Sequence, residues 1–225
     1  MHIPSIKSAA QWCVNLLLCA WLAGCASTSA PTQDRSTFAA ADPASILVLP
    51  PVNESPEVQA SDSVLSHATY PLAESGYYVM PVALVKETLR QNGMEIPAEI
   101  HEIPGTRLRE IFGADAALYI RINRYGTVYQ VIDSATVVTA EARLVDLRSG
   151  QLLWTGSASA SNKERNNSGS SGLAGILISA LVNQILNTAL ATSHAIAGTA
   201  TQRLLSAGGS DGLLFGPRSP RRLQK

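Results

Sequence analysis

Beyond Cys25 the chain contains no cysteine. A disulfide framework is therefore excluded for the rest of the protein in any compartment, and the fold has to be held by its core. A surplus of positive charge is also missing. With 17 basic and 17 acidic residues, nothing calls for nucleic acid or another polyanion as a partner. Near the N-terminus a membrane-length run is lacking: the apolar segment Trp12–Ala23 has twelve residues. That is about 18 Å of helix against a hydrocarbon core of about 30 Å. Cys-x-x-Cys, H-E-x-x-H and a phosphate-cradling glycine loop are all absent. His67, His101 and His194 are far apart, and no short spacing supplies converging metal ligands, so no metal or other cofactor is expected. No nucleophile–base constellation is expected either.

What the N-terminus does contain is a secretion signal. Lys7 is the only formal side-chain charge before Asp34, and a short apolar run ending in small residues follows it. Leu22-Ala23-Gly24-Cys25 then resembles the bacterial lipobox. That resemblance implies cleavage between Gly24 and Cys25, with the Cys25 thiol carrying a diacylglycerol and its new amino group an acyl chain. Residue 26 is Ala, not the Asp that commonly retains such proteins in the inner membrane. The resemblance therefore favours an outer-membrane anchor with the domain facing the periplasm. The expected organisation is a signal peptide over 1–24, an acylated tether over 25–44, one α/β domain over 45–206 and a disordered basic tail over 207–225.

Within the domain, Ile46-Leu47-Val48-Leu49, closed by Pro50-Pro51, suits a buried strand. Ser61 is placed to cap a helix with the face Val64, Ala68 and Leu72, kinked or divided at Pro71. Tyr77–Met80 reads as a strand, and Val82, Val85 and Leu89 repeat as a helix stopped at Gly93. A short helix carries Leu108, Ile111 and Phe112. Leu118, Ile120 and Ile122 alternate with Tyr119, Arg121 and Asn123, the period of a half-buried strand. Val138–Leu144 repeats the pattern, and Leu152, Trp154, Gly156 and Ala158 share a face in the strand after it. Between the last two, Asp146–Gln151 reads as a hairpin turn in which Gly150 takes positive φ. The fold class is α/β: a mixed sheet of about five strands, β-α-β-α-β then an antiparallel meander, with packed helices and a long C-terminal helix.

The segments ILVLPPVNES, ESGYYVMPVALVKETLRQNG, FGADAALYIRI and ARLVDLRSGQLLW together resemble a family of neisserial-type bacterial outer-membrane lipoproteins of unknown function. The last segment is also similar to the wider group containing CsgG, the penicillin-binding-protein activator lipoproteins and the TolB N-terminal domain. These motifs specify strands and turns, and no active site travels with them. The resemblance implies partnership with a CsgG-like lipoprotein.

Two features remain as candidates for function. Tyr119, Tyr125 and Tyr129 share a face in a strand without a bulge; with Tyr77, Tyr78 and Trp154 they either line a ligand groove or partner surface, or belong to the core, the commoner case. Asp133, Glu141 and Asp146 read as solvated carboxylates. The second feature is an uncharged stretch of 37 residues, Asn166–Gln202. After a flexible hinge over 161–172, a helix over 173–206 carries the stripe Leu173, Leu177, Leu181, Ile185 and Ala189. An ordinary surface helix carries charge on its outer face, so burial in an oligomer or against a partner is the favoured expectation. Cover within the monomer and membrane association are the others, though Asn183, Gln184 and Asn187 are costly in lipid. Leu177, Leu181 and Ile185 are the candidate interface. The expected protein is a non-enzymatic accessory or assembly component of an envelope complex. The alternative is a periplasmic module that delivers a peptide, glycan or lipid to a transport system.

Overall fold

The computed structural model describes residues 35–129, 134–164 and 189–223. Gly24 and Cys25, Asp133, and the stripe Leu177, Leu181 and Ile185 all lie outside the described residues. Gln33–Lys225 forms one unit. It runs α1 (Ser36–Ala41), β1 (Ser45–Val48), β2 (Val52–Asn53), α2 (Ala60–Glu74), β3 (Tyr78–Val79), α3 (Val82–Gln91), α4 (Pro97–Ile100), α5 (Gly105–Phe112), β4 (Ala116–Tyr129), β5 (Ser134–Asp146), β6 (Leu152–Ser161) and α6 (Ala189–Leu205). A 3-10 turn, Pro220–Leu223, follows.

The mixed sheet has six strands, in the order β3-β1-β4-β5-β6 with β2 also beside β4. β1 runs parallel to β3 and β4, while β4, β5 and β6 form the antiparallel meander. The additional strand is the continuation of β1. Pro50 and Pro51 have no N–H to give a ladder, so pairing stops after Val48 opposite Leu118 and resumes with Val52 opposite Arg121.

Helices cover the sheet on two sides. On one, Ile46, Val48, Leu118, Ile120, Ile122 and Leu144 are fully buried beneath α2 and α6. On the other, Leu47, Leu49 and Ala117 pack with Val85, Leu89, Ile100 and Leu108 of α3, α4 and α5. Each fully buried leucine or isoleucine contributes about 1.5–3 kcal/mol by leaving water.

The described part of the C-terminal helix is covered within the chain. Ile196, Ala197, Ala200, Leu204 and Leu205 are buried in the core shared with α2 and the meander. For these residues of 189–205 the cover is intramolecular, while the candidate interface Leu177, Leu181 and Ile185 lies outside the described residues.

Other local expectations are corrected. Ser61 does not cap α2; it lies inside the helix and its hydroxyl donates to the Pro51 carbonyl, while Gln59 occupies the cap without a side-chain bond. Pro71 is buried within α2 and does not divide it. Ile111 is 45% exposed, leaving Leu108 as the buried residue of α5. A register shift between Leu144 and Val145 separates Leu152 from Trp154: Leu152 is 52% exposed, and Leu153 and Trp154 are both buried.

The two ends depart furthest from expectation. Residues 36–41 are helix instead of tether, because Phe38 is an aromatic side chain among small ones and reaches the core at 2% exposure. The segment after α6 is packed instead of disordered. Leu213 is fully buried, Trp154 Nε1–H donates to the Asp211 carbonyl at 2.8 Å, and Tyr77 donates to the Leu214 carbonyl at 2.6 Å. The Gly216 and Arg218 amides donate to the Ser75 and Gly76 carbonyls. Gly76 permits this approach: its φ is 94°, and a Cβ there would collide with the backbone of Ser219.

Candidate functional site

Beyond Tyr119 the face shared with α3–α5 loses its helical cover, and the meander opens to solvent. Arg121, Glu141, Arg143 and Thr155 project from three adjacent strands there, all exposed. In register Arg121 stands opposite Glu141, and Arg143 stands between Tyr119 and Thr155. Together with His101 and Glu102, just after α4, they line a groove of about 520 Å³.

Tyr119 is the fixed point of this groove. It is 7% exposed, with the Arg143 guanidinium 4.5 Å from its ring centroid and the His101 ring edge-on at 5.2 Å. His101 is itself held, since Nε2–H donates to the Pro50 carbonyl at 3.0 Å. Burial pushes the His101 pKa down, and Arg143 and Arg121 push in the same direction against the carbonyl bond, so the ring is neutral at pH 7. Burial raises the Tyr119 pKa despite nearby Arg143, which keeps the phenol protonated. Arg121 pairs with Glu54. Arg143 has no carboxylate within ion-pair reach among the described residues. A cation over an aromatic ring, with Glu102 and Glu141 also lining the groove, presents charges of both signs beside an aromatic surface.

The tyrosines do not form one stripe. The register shift between Ile122 and Arg124 turns Tyr125 to the opposite face, where it is 4% exposed. There it donates to Ser63 Oγ at 2.9 Å, and Ser63 Oγ lies 2.7 Å from Nδ1 of His194. The His67 ring lies 4.4 Å from that of His194, tilted by 38°, and donates from Nε2 to the His194 carbonyl. This Ser–His pair joins α2 to α6, with Ser63 7% exposed. No carboxylate is hydrogen-bonded to His194 among the described residues, and the pair serves helix packing. Tyr77 bonds the tail, Tyr78 lies on the surface near Arg218, and Tyr129 ends β4.

One motif was overlooked in the sequence: Gly208-Gly209-Ser210-Asp211-Gly212 has the G-x-S-x-G spacing. A nucleophile elbow needs a strand-to-helix turn. Here the motif is a loop after a helix, and Ser210 is exposed and donates to the neighbouring Asp211 carboxylate at 3.3 Å. The glycines serve tail docking. Asp146 is likewise structural: Oδ1 accepts from the Arg148 and Ser149 amides and the Ser149 hydroxyl, closing the hairpin in which Gly150 has φ 73°. Among the described residues no group of three metal-ligating side chains converges, and no helix is long and apolar enough to cross a membrane.

Set beside known proteins, residues 33–218 match the family described as "Putative lipoprotein GNA1162-like", and the chain belongs to that family. The protein of Neisseria meningitidis serogroup B named "Putative lipoprotein NMB1124/NMB1162" is 48% identical over 197 residues, covering 88% of this chain and 91% of its own length. The crystal structure of lipoprotein GNA1162 from Neisseria meningitidis superposes with a TM-score of 0.51 at 53% identity, over 65% of this chain and 100% of that one. The LpoB C-terminal domain from Salmonella enterica overlaps at a TM-score of 0.39 and 16% identity, over 52% of this chain and 81% of that one. An overlap that low carries no argument, and the wider kinship with CsgG, the penicillin-binding-protein activators and TolB stays a resemblance in one turn.

Proposed function

We propose that the protein is a lipid-anchored envelope component that works by binding, without catalysis, and that the open face of its meander is the docking surface. The observation behind this reading is the unequal cover of the sheet. Helices bury one face along the meander, whereas the other ends in exposed Arg121, Glu141 and Arg143 around a held tyrosine. Tyrosine and arginine are the residues that protein interfaces favour. Family membership supports the anchor, and Cys25 is its attachment point in this reading, with the domain on the periplasmic side of the outer membrane. The reading is of an accessory or assembly component. Nothing in the groove singles out a CsgG-like partner, so that implication of the resemblance is not carried further. The groove's volume of about 520 Å³ favours a second reading, in which it holds a peptide or glycan for delivery.

The anchor is tested by Cys25→Ser: the variant is expected in the soluble fraction, and wild-type detergent partitioning would end the lipoprotein reading. Docking is tested in intact cells with a photoreactive residue at Thr155, compared with one at Tyr70 on the outer side of α2. A discrete protein adduct from Thr155 alone supports the platform. A small-molecule adduct supports delivery, and equal labelling from both sites overturns the groove.

A further inference from the structure

The two ends of the described chain build a second cleft, of about 330 Å³. Phe38, Leu213, Leu214 and Phe215 give it an apolar lining, and Arg35 and Arg221 line it as well. The charges there are unbalanced. Arg222 is paired with Asp42 at 2.6 Å, which uses the acidic residue of the cleft. Arg35 donates to the Gly209 and Gly212 carbonyls, its Nε is enclosed without a partner, and no carboxylate reaches it among the described residues. Arg221 is exposed, 5.9 Å from the Phe215 ring centroid, and has no carboxylate within ion-pair reach among the described residues.

Two guanidinium groups in the lining of an apolar cleft match an amphiphile with an anionic head. Guanidinium presents a planar fork of donors that fits phosphate oxygens, and the ring and leucine surfaces suit methylenes. The size sets a limit. Ligand pockets run from about 300 to 1,000 Å³, and one at the lower end takes a headgroup and its first methylenes, not whole acyl chains. Position suggests the source. Arg35 is ten residues beyond Cys25, so an acylated Cys25 keeps it within about 35 Å of the bilayer surface. This positional step rests on the anchor reading, whereas the chemistry of the cleft does not.

We propose that the cleft binds the headgroup of a negatively charged membrane phospholipid and so seats this end of the domain on the bilayer. The test is calorimetric titration of the full chain in an uncharged detergent. Its probes are dihexanoyl phosphatidylglycerol, dihexanoyl phosphatidylcholine and inorganic phosphate. Saturable binding of the phosphatidylglycerol is expected, with phosphatidylcholine and phosphate each about tenfold weaker or worse, the scale of one charge-assisted hydrogen bond. Arg221→Gln, on an exposed side chain, is expected to weaken phosphatidylglycerol binding about tenfold at unchanged melting temperature. Arg35→Gln should do the same, and if it lowers the melting temperature Arg221→Gln alone decides. Equal affinity for the two lipids, or wild-type binding by Arg221→Gln, overturns the proposal. Phosphate binding as tightly as phosphatidylglycerol also overturns it, making the cleft a free-anion site. No arm uses the anchor, so a failed anchor reading shows in fractionation and leaves these titrations unaffected.

Discussion

The two faces of the meander are made by the same strands and end differently. Beneath α2 and α6, Leu118, Ile120, Ile122, Val138 and Leu144 are all fully buried. On the reverse, cover stops at Tyr119, and Arg121, Glu141 and Arg143 meet water. Helical cover thus ends where the alternate residues of β4 and β5 change from apolar to charged. One face holds the domain together, and the other is free to take a partner at little cost to the fold.

The strongest way to break this contrast is to open the covered face. Leu118→Ala should lower unfolding free energy by about 2–5 kcal/mol, since a fully buried side chain leaves a cavity beneath helices that relax only in part. Denaturant unfolding measures the loss, and an effect near zero would mean that α2 and α6 do not seal that face. Next comes the hairpin joining β5 to β6. Gly150→Val should cost roughly 1–3 kcal/mol, because a β-branched residue is strained at a φ of 73°. Nothing lies within 4 Å of the Cβ it would add, so backbone strain alone is at issue.

Acid should weaken both faces by a smaller amount. His67, half-buried against α6, and His101, beside the groove, both have pKa values below their ordinary 6.5, chiefly through burial. The facing charges are His194 for the first, and Arg143, Arg121 and Glu102 for the second. The unfolded chain takes up protons at these sites before the folded one does. Stability is therefore full above about pH 6.5 and falls as the pH drops through the window below it. Melting temperatures at pH 7.5 and 5.0 should show the fall, and His67→Gln should reduce it. An unchanged slope in that variant would assign the effect elsewhere. The smallest expected change in stability is on the open face. Arg143→Ala should shift unfolding by no more than about 0.5 kcal/mol while weakening the Thr155 adduct, which separates the two faces in one variant.

The alternation that distinguishes the faces was legible in the chain: Leu118, Ile120 and Ile122 against Tyr119 and Arg121 needs only a period of two. The Asp146–Gly150 turn was legible for the same reason, since its hydrogen bonds are local. Departures came where a single inserted residue reverses the alternation. The register shift after Ile122 sends Tyr125 to the core, and the one at Val145 brings Leu153 inside and leaves Leu152 out. A bulge changes no residue type, so a pattern of residue types does not contain it. The groove was visible only as outward charges on separate strands, because pairing Arg143 with Tyr119 needs the register. The ends were misjudged by composition. Phe38 and Leu213 are isolated apolar residues among small and polar ones, and their burial depends on surfaces far away in sequence.

That distance orders events in the life of the chain. Asp42 meets Arg222 across 180 residues, and the Tyr77 hydroxyl meets the Leu214 carbonyl across 137. A chain synthesised N-terminus first has Phe38 in hand long before Leu213 arrives to enclose it. The sheet can assemble from β1 to β6 in the meantime, but α1 has no complete seat until the segment around Leu213 has been made. Closure of the two ends thus waits for the segment around Leu213, and a polypeptide stalled short of Gly216 would keep its first helix loose and open to proteolysis.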